Sequence, residues 1–280
     1  MPVDPSARIA PTARVDPDAV IGPQTVIQDY CVIERDVVIG SHCLLEPYVF
    51  VKRWTTLGDR NEISACTVLG SDPLDKGFSP ADRSFLIIGN GNKIREHYTI
   101  SRGTKPESET VIGNENYIMT AGHIAHNCRI GNQTVIASAS LVAGYCEIED
   151  QVFISGGNGI HQYSRIGRLA MVAGMTRVNL DLPPFLMFSG YKVGATGLNI
   201  VGLRRAGFTR EEIRTIKQTY QVLFHSGMKL EEALQKVEAE IDSPHARHVV
   251  EFVRKSKRPI ARSRQAGTRG EELDGPSLDS

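Results

Sequence analysis

Aliphatic residues recur at every sixth position over most of the first two thirds of this chain. The series is interrupted twice, and outside these interruptions every sixth residue is aliphatic. Its members are Ile9, Val15, Ile21, Ile27, Ile33, Ile39, Leu45, Val51, Leu57, Ile63 and Leu69, then Ile88, Ile94 and Ile100, then Ile112, Ile118, Ile124, Ile130, Ile136, Val142, Ile148, Ile154, Ile160, Ile166, Val172 and Val178. Such self-similarity at a fixed period indicates a repeat architecture.

Each six-residue unit also carries turn residues and a small residue at fixed places. Glycine often follows the aliphatic residue, as at Gly22, Gly131 and Gly167, and glycine permits the backbone angles of tight turns. The position two residues before the aliphatic one is mostly small, and four cysteines occupy it: Cys31, Cys43, Cys128 and Cys146. We therefore predict that each unit is a short strand with a turn. Three units make a triangular coil of 18 residues, and successive coils stack as parallel strands about 4.7–4.9 Å apart.

The interruptions predict two loops. Segments 71–87 and 101–111 are polar and rich in Gly, Pro and Ser, so we expect them to leave the coil. Loops on a rigid scaffold often carry binding residues. The coil itself is predicted to cover residues 1–182.

A helical pattern replaces the period of six beyond Pro184. Thr209 and Glu212 form a capping box ahead of apolar residues spaced as one helical face. We predict a small helical domain over residues 183–258. The tail over residues 259–280 has hardly any large apolar residues, which predicts disorder.

Charge and composition exclude several classes of function. The 32 Lys and Arg residues balance the 32 Asp and Glu residues, so the chain lacks the basic field that binds nucleic acid. No stretch approaches the roughly 18 apolar residues of a membrane span, and the start MPVDPSARIAP lacks a signal peptide's apolar segment. Five dispersed cysteines without a CxxC pair predict neither a disulfide framework nor a thiolate zinc site. We expect a cytoplasmic protein without nucleic-acid partner or stable membrane insertion.

Because a coil has 18 residues, residues 18 apart in the sequence are expected to be neighbours in space. His126, Gly144 and Gln162 are each 18 residues apart, so we expect a column with neighbours about 5 Å apart. Other polar or titratable side chains flank this column: His123, Asn127, Tyr145 and His161. The sequence therefore predicts a polar cleft along this column.

The repeat and five motifs resemble a known enzyme family. The period is similar to that of hexapeptide-repeat acyltransferases, which fold as left-handed parallel β-helices. Five motifs make the resemblance closer: HIAHNC at 123–128, IHQ at 160–162, IREHYTISRGT at 94–104, DLPPF at 181–185 and GLNIVGLRRAGF at 197–208. With them the chain resembles the UDP-N-acetylglucosamine O-acyltransferases from residue 9 to about residue 258. The resemblance implies an all-β left-handed parallel β-helix followed by a small C-terminal α-helical domain.

The resemblance also implies a reaction. The family moves an (R)-3-hydroxyacyl group from acyl carrier protein to the 3-hydroxyl of UDP-N-acetylglucosamine, the first step of lipid A synthesis. At the position of His126 the family has the general base, and at Gly144 a backbone N–H that binds the oxyanion. Transfer is direct, with no covalent enzyme intermediate. The thioester is already activated, so neither a metal nor a cofactor is expected beyond the donor's phosphopantetheine.

Further site residues follow by the same resemblance. The positions that line the sugar and acyl pocket or contact the nucleotide sugar are His123, Tyr145, His161, Gln162 and the loop residue Lys76. Asn199 and Arg205 match positions near the nucleotide, and Gly174 matches the end of the acyl channel. In the family the site lies between subunits of a homotrimer, so we expect a homotrimer.

Four positions depart from the family pattern. Tyr145 replaces a histidine, Val201 an acidic residue, Ala206 an arginine, and Asn127 the aspartate that follows the base. The last change implies that the imidazole is oriented differently or by another residue. Together the changes leave open a different acceptor, such as a 3-amino UDP-sugar that would give an amide.

Two other classes of function remain as alternatives. A hexapeptide-repeat carbonic anhydrase of the γ type would hold zinc with three histidines from two subunits, but it needs a different histidine spacing and lacks a helical tail. An inactive β-helix trimer serving as an interaction scaffold would explain the changes at Val201 and Ala206.

Overall fold

The computed structural model describes residues 3–262, whose strands wind into a triangular prism. Most strands are two residues long, and each pairs in parallel with the strand one coil away. In regular coils the register advances by 18 residues, as from Arg129 to Glu147 and from Glu147 to Arg165. The coil length predicted from the sequence is therefore correct.

Three sheets form the sides of the prism. Sheet 1 contains β1 (Arg8–Ile9), β4 (Val26–Ile27), β7 (Leu44–Leu45), β10 (Glu62–Ile63), β13 (Lys93–Ile94), β16 (Tyr117–Ile118), β19 (Val135–Ile136), β22 (Phe153–Ile154), β25 (Met171–Val172), β27 (Leu186–Ser189) and β28 (Gly194–Leu198). Sheet 2 contains β2 (Arg14–Val15), β5 (Val32–Ile33), β8 (Phe50–Val51), β11 (Val68–Ser71), β14 (Thr99–Ser101), β17 (His123–Ile124), β20 (Leu141–Val142), β23 (Gly159–Ile160) and β26 (Arg177–Val178). Sheet 3 contains β3 (Val20–Ile21), β6 (Val38–Ile39), β9 (Thr55–Leu57), β12 (Phe85–Ile88), β15 (Glu109–Ile112), β18 (Arg129–Ile130), β21 (Glu147–Ile148) and β24 (Arg165–Ile166).

The aliphatic residue of each unit fills the interior of the prism. Ile124, Ile136 and Ile154 are fully buried. The four cysteines at the small position are also buried and free, and burial raises the pKa of the Cys31 and Cys43 thiols. These cysteines are packing residues, as predicted.

The prism has three edges, where turns connect neighbouring sheets. We call the edge that leads from sheet 2 to sheet 3 edge 2/3, and name edges 1/2 and 3/1 likewise. Edge 2/3 includes the turns at residues 125–128, 143–146 and 161–164. Each of these turns contains a residue in the left-handed region, Asn127 (φ 59°), Tyr145 (φ 59°) and Tyr163 (φ 64°). Non-glycine residues rarely adopt this conformation, so the coil imposes it.

Both predicted loops, 71–87 and 101–111, are shorter than expected. Strand β12 already begins at Phe85, and β15 begins at Glu109. Leu86 is fully buried and pairs within sheet 3. Burial of this additional apolar residue extends the sheet into both segments.

The C-terminal part is helical but begins with a hairpin. Strand β27 adds to β25 of sheet 1 in parallel, and β28 pairs with β27 in antiparallel, so sheet 1 continues into the predicted helical domain, 183–258. The helices are α1 (Ile200–Arg205), α2 (Arg210–His225), α3 (Leu230–Glu240) and α4 (Pro244–Lys255). The predicted capping box of Thr209 and Glu212 starts α2. Of the helices within residues 3–262, none has both the length and the apolar composition needed to cross a bilayer.

The first residues of the predicted disordered tail, 259–280, are ordered. The Asp181 N–H donates to the Pro259 carbonyl at 3.0 Å, and the Ala261 N–H donates to the Asp181 carbonyl at 2.9 Å. Ala261 is fully buried. Backbone pairing with the end of the prism therefore orders this short segment, while residues 263–280 lie outside the described residues.

A ladder of buried asparagines runs through three coils of the prism. The Asn92 side-chain amide donates to Asn61 Oδ1 at 3.0 Å and to the Gly113 carbonyl at 2.9 Å. Asn92 Oδ1 accepts from both the backbone N–H and the side-chain amide of Asn116, at 3.0 and 2.9 Å. All three asparagines are at most 1% exposed, so water does not replace these bonds.

Replacing Asn92 with Ala is expected to lower the melting temperature clearly. The substitution removes the acceptor of two buried Asn116 donors, and a buried donor without a partner costs about 1–3 kcal/mol. Asn90→Ala is the control, since Asn90 accepts from the Asp59 N–H and donates to Asn114 on a half-buried edge, where water can replace both bonds. Thermal unfolding followed by circular dichroism compares the two. Equal shifts for both variants would contradict a special role of the buried ladder.

Candidate active site

His126 and Gly144 are stacked one coil apart on edge 2/3. The Tyr145 N–H donates to the His126 carbonyl and the Tyr163 N–H to the Gly144 carbonyl, both at 3.0 Å. A Cβ on Gly144 would lie 2.5 Å from His126 Cε1 and 2.8 Å from Nε2. The imidazole therefore lies directly against the Gly144 backbone and leaves no room for a side chain there.

The protonation of the His126 ring follows from its neighbours. The Thr104 backbone N–H, which can only donate, meets a side-chain atom of Asn127 at 3.1 Å, so that atom is the amide oxygen. His126 Nδ1 lies 3.1 Å from the same oxygen, and an oxygen of this kind only accepts. Nδ1 must therefore carry a proton. In the neutral ring, Nε2 is left with a free lone pair.

Tyr145 belongs to the same hydrogen-bond chain. The Thr104 hydroxyl donates to Asn127 Oδ1 at 3.0 Å, so the Tyr145 hydroxyl, 3.0 Å from Thr104 Oγ1, is the donor in that contact. The Tyr145 ring meets the His126 ring edge-on at 5.2 Å between centroids and stacks on Tyr163 at 4.9 Å. Tyr145 thus packs beside the imidazole and is anchored at both its ring and its hydroxyl.

The Gly144 N–H is an available donor. At two equivalent turns, the backbone N–H in the place of Gly144 donates to a glutamate side chain of the coil below. The Arg53 N–H donates to Glu34 at 2.9 Å, and the Arg168 N–H donates to Glu149 at 2.7 Å. The residue in that position below Gly144 is Ala125, which has no acceptor. Within residues 3–262 the N–H of the buried Gly144 has no hydrogen-bond partner.

His123 lies on the outer face of sheet 2, one turn before His126. Its Nδ1 is 2.6 Å from the Thr99 hydroxyl, and its Nε2 is buried without a partner among the described residues. Burial lowers the pKa of His123, the hydrogen bond with Thr99 partly offsets this effect, and the nearby imidazole of His126 adds a small further lowering. A neutral ring with one buried, unpaired nitrogen is suited to pairing with a bound polar group.

His161 and Gln162 continue edge 2/3 above Gly144. His161 is exposed, and its Nδ1 donates to the Gln162 carbonyl at 3.0 Å. This contact leaves Nε2 of the neutral ring as an acceptor. The edge therefore brings together His126, Gly144, Tyr145, His161 and Gln162, as the column predicts.

Lys76 lies exposed in the first loop, without a hydrogen bond or ion pair to any residue that the structure describes. The loop itself is anchored by Arg102, which is 1% exposed. Arg102 bonds Asp72 Oδ1 at 3.0 Å and the Asp82 carbonyl at 3.1 Å, and its guanidinium lies 4.7 Å from the ring of Trp54. Since Arg102 is two residues from Thr104, one segment holds both the loop and the His126 network.

Three predicted site residues lie away from edge 2/3. Asn199 caps α1 through Gly202 and donates to the Leu169 carbonyl on edge 3/1 at 2.9 Å. Arg205 is exposed at the end of α1. Gly174 lies on edge 1/2, where an added Cβ would meet the Gly156 carbonyl oxygen at 3.3 Å. A single chain does not bring these residues to His126.

Sequence reasoning missed two groups of this site. Thr104 belongs to the predicted loop and to the motif at 94–104 but received no role, because the period of six does not describe where a loop residue lies. Tyr163 was not singled out, although it is 18 residues from Tyr145 and the column rule finds it. The departure at Asn127 implied a different orientation of the imidazole or another orienting residue; in the structure Asn127 itself contacts Nδ1, at 3.1 Å.

Residues 3–262 contain no group of three or more His, Cys, Asp or Glu side chains placed to hold a metal ion. The described site is a set of hydrogen-bonding and acid–base groups.

Comparison with known proteins gives concordant matches. The family model described as "Udp N-acetylglucosamine O-acyltransferase; Domain 2" matches residues 181–261. The acyl-[acyl-carrier-protein]–UDP-N-acetylglucosamine O-acyltransferase of Gloeothece citriformis is 38% identical over 74% of this chain and 75% of its own. The enzyme of the same name from Xanthomonas campestris is 44% identical over 74% and 80%. This chain belongs to the UDP-N-acetylglucosamine O-acyltransferase family.

A solved structure supports the same assignment for the fold. The UDP-N-acetylglucosamine acyltransferase LpxA from Bacteroides fragilis superposes with a TM-score of 0.88 at 36% identity, covering 91% of this chain and 100% of the other. The predicted fold class, a left-handed parallel β-helix followed by a C-terminal helical part, is confirmed. So is the prediction of an acyltransferase, and the carbonic anhydrase alternative is dropped.

Two of the four departures from the family pattern, Val201 and Ala206, change little in the structure of a single chain. Val201 is 60% exposed on α1, and Ala206 is half-buried at the C-terminal cap of the same helix. Neither contacts the His126 network. Tyr145 and Asn127, by contrast, form part of that network.

Replacing Gly144 with Ala is expected to abolish acyl transfer while the fold persists. The backbone of Gly144 lies outside the left-handed region, so the added methyl acts only by pushing the imidazole away. Gly159→Ala is the matched control, because a Cβ there meets nothing within 4 Å. Acyl transfer assays and circular dichroism spectra of both variants test this. Normal turnover by Gly144→Ala would contradict the stacking of ring and backbone.

Proposed function

We propose that this chain transfers an (R)-3-hydroxyacyl group from acyl carrier protein to the 3-hydroxyl of UDP-N-acetylglucosamine, the first step of lipid A synthesis, and that it acts in the cytoplasm. The names of its relatives support the donor and acceptor. The observation that carries the proposal is the tautomer of His126, which leaves a lone pair on Nε2.

His126 is the general base in this proposal. Its Nε2 takes the proton of the sugar 3-hydroxyl as the oxygen attacks the thioester carbonyl. Collapse of the tetrahedral intermediate breaks the C–S bond, and the proton returns from the imidazole to the departing thiolate. Positioned general-base catalysis of this kind contributes about 10²–10⁴ in rate. The ring is held for this task by Asn127.

Gly144 provides the oxyanion contact in this proposal. Its N–H has no acceptor in the described chain and lies on the backbone against which the imidazole packs. A donor aimed at the developing negative charge typically contributes roughly 3–4 kcal/mol to transition-state stabilisation. His123, with its unpaired buried Nε2, is positioned as a sugar or acyl contact.

The reaction is proposed to need no metal ion and no cofactor beyond the donor's phosphopantetheine, because a thioester is already activated. The active unit is proposed to be a homotrimer. In support, Asn199 and Gly174 lie on other edges of the prism than His126, so a site with all three needs neighbouring subunits. Activity unchanged by a chelator and a native mass three times 30.8 kDa are the expected results.

Turnover of UDP-N-acetylglucosamine with 3-hydroxyacyl carrier proteins of several lengths tests the proposal. Wild-type enzyme is expected to form the 3-O-acyl product, and His126→Ala to lose at least about 10²-fold in kcat because the base is gone. His97→Ala is the control, since His97 lies in a turn on edge 1/2 rather than on edge 2/3.

Two results of this assay would overturn the proposal. Near-normal turnover by His126→Ala would remove the general base. No turnover by the wild type with this acceptor, but turnover with a 3-amino UDP-sugar, would replace the acceptor and assign the departure at Tyr145 to acceptor choice.

A further inference from the structure

Backbone carbonyls of three successive turns on edge 2/3 form a column in which each carbonyl accepts from an N–H of the coil above, except at the top. In the lower coils the carbonyls of His126 and Gly144 accept the N–H groups of Tyr145 and Tyr163. The next donor in this series would be the N–H of Asp181. That group instead donates to the Pro259 carbonyl at 3.0 Å, so the prism offers no backbone donor to the Gln162 carbonyl.

Arg258 replaces the missing donor. Its Nη1 donates to the Gln162 carbonyl at 3.2 Å, and its Nη2 donates to the Asn179 carbonyl at 3.0 Å. Asn179 lies one coil above His161, so the guanidinium spans two successive coils. The planar fork of arginine suits such a pair of acceptors. A residue that follows the last helix thus completes the top of the candidate active site.

The Gln162 carbonyl also sets the His161 ring. It accepts from His161 Nδ1 at 3.0 Å and therefore receives both donors. Arg258 consequently holds the peptide that fixes the His161 tautomer and carries the Gln162 side chain. The family resemblance assigns both residues to the pocket that binds the substrates.

Docking of the helical domain rests on other residues. Arg165 donates to the Phe252 carbonyl at 3.0 Å, and its guanidinium lies 4.3 Å from the Phe252 ring. It also pairs with Glu147 at 3.1 Å. Arg165 lines the same cavity as Arg258 but attaches α4 to sheet 3 without a bond to Gln162, so replacing it weakens the attachment of the domain and leaves the Gln162 contact in place.

We propose that Arg258 is a positioning residue of the acyl-transfer site: bonded to the carbonyls of Gln162 and Asn179, it holds His161 and Gln162 in the orientation that binds the nucleotide sugar. The role in turnover rests on the proposed function. The contact itself does not, and can be measured without substrate.

The kinetic test compares Arg258→Met with Arg165→Met in the full-length enzyme. Arg258→Met removes both carbonyl contacts and is expected to raise KM for UDP-N-acetylglucosamine about tenfold, because His161 and Gln162 are no longer held in place, with a smaller change in kcat. Arg165→Met is expected to lower the melting temperature but leave KM within about twofold. Arg258→Lys, which keeps the charge but loses the fork, is expected to recover part of the affinity. Equal KM values for Arg258→Met and Arg165→Met, or a wild-type KM in Arg258→Met, would overturn the proposal.

Hydrogen exchange of the substrate-free enzyme provides the independent readout. Arg258→Met, or Arg258→Lys if the former does not fold, is expected to speed amide exchange in the peptide around residues 159–164. Arg254→Met is the control, since Arg254 bonds only Glu231 and Glu238 within the described residues. Unchanged exchange in the Arg258 variant would overturn the proposed contact. A wild type that exchanges as expected but does not acylate this sugar would instead overturn the proposed function.

Discussion

In-register stacking of 18-residue coils is the constraint on which the rest of this structure depends. It places each turn residue against its equivalent one coil away, whatever the side chains are. At edge 2/3 this puts an imidazole against a glycine backbone, and neither residue needs a loop to hold it there. The spacing of about 4.8 Å between coils therefore separates the proposed base, His126, from the proposed oxyanion donor, Gly144. A rigid structural repeat therefore supplies the alignment that other enzymes obtain from separate loops.

Stacking alone does not orient the ring, and a residue outside the repeat completes the geometry. Thr104 fixes the amide of Asn127 by donating from its backbone, and Asn127 then fixes the proton on His126. A neutral amide in this place orients the imidazole as a carboxylate would. It lacks the negative charge that would stabilise the protonated ring. The same chain of bonds includes Tyr145, so two departures from the family pattern belong to one connected arrangement.

The sequence predicted those features that follow from periodicity or from local capping. The period of six predicted the coil, its buried cysteines and the His126 column, and Thr209 with Glu212 predicted the start of α2. It did not predict contacts that join distant segments. Thr104 lies in a loop whose path the period does not describe, and Arg258 follows the last helix, nearly 100 residues from the carbonyl it meets. The ordered segment at 259–262 escaped notice because backbone pairing with Asp181 and the burial of Ala261 determine it, and a segment this short carries no periodic pattern.

The protonation of the His126 ring tests this account most directly. Nitrogen-15 NMR of histidine-labelled, substrate-free enzyme at a pH where the ring is neutral distinguishes the two tautomers. The account predicts a proton on Nδ1 and a bare Nε2 for His126, and a mixture of tautomers once Asn127 is replaced with Ala. A His126 ring protonated on Nε2 in the wild-type enzyme would contradict it.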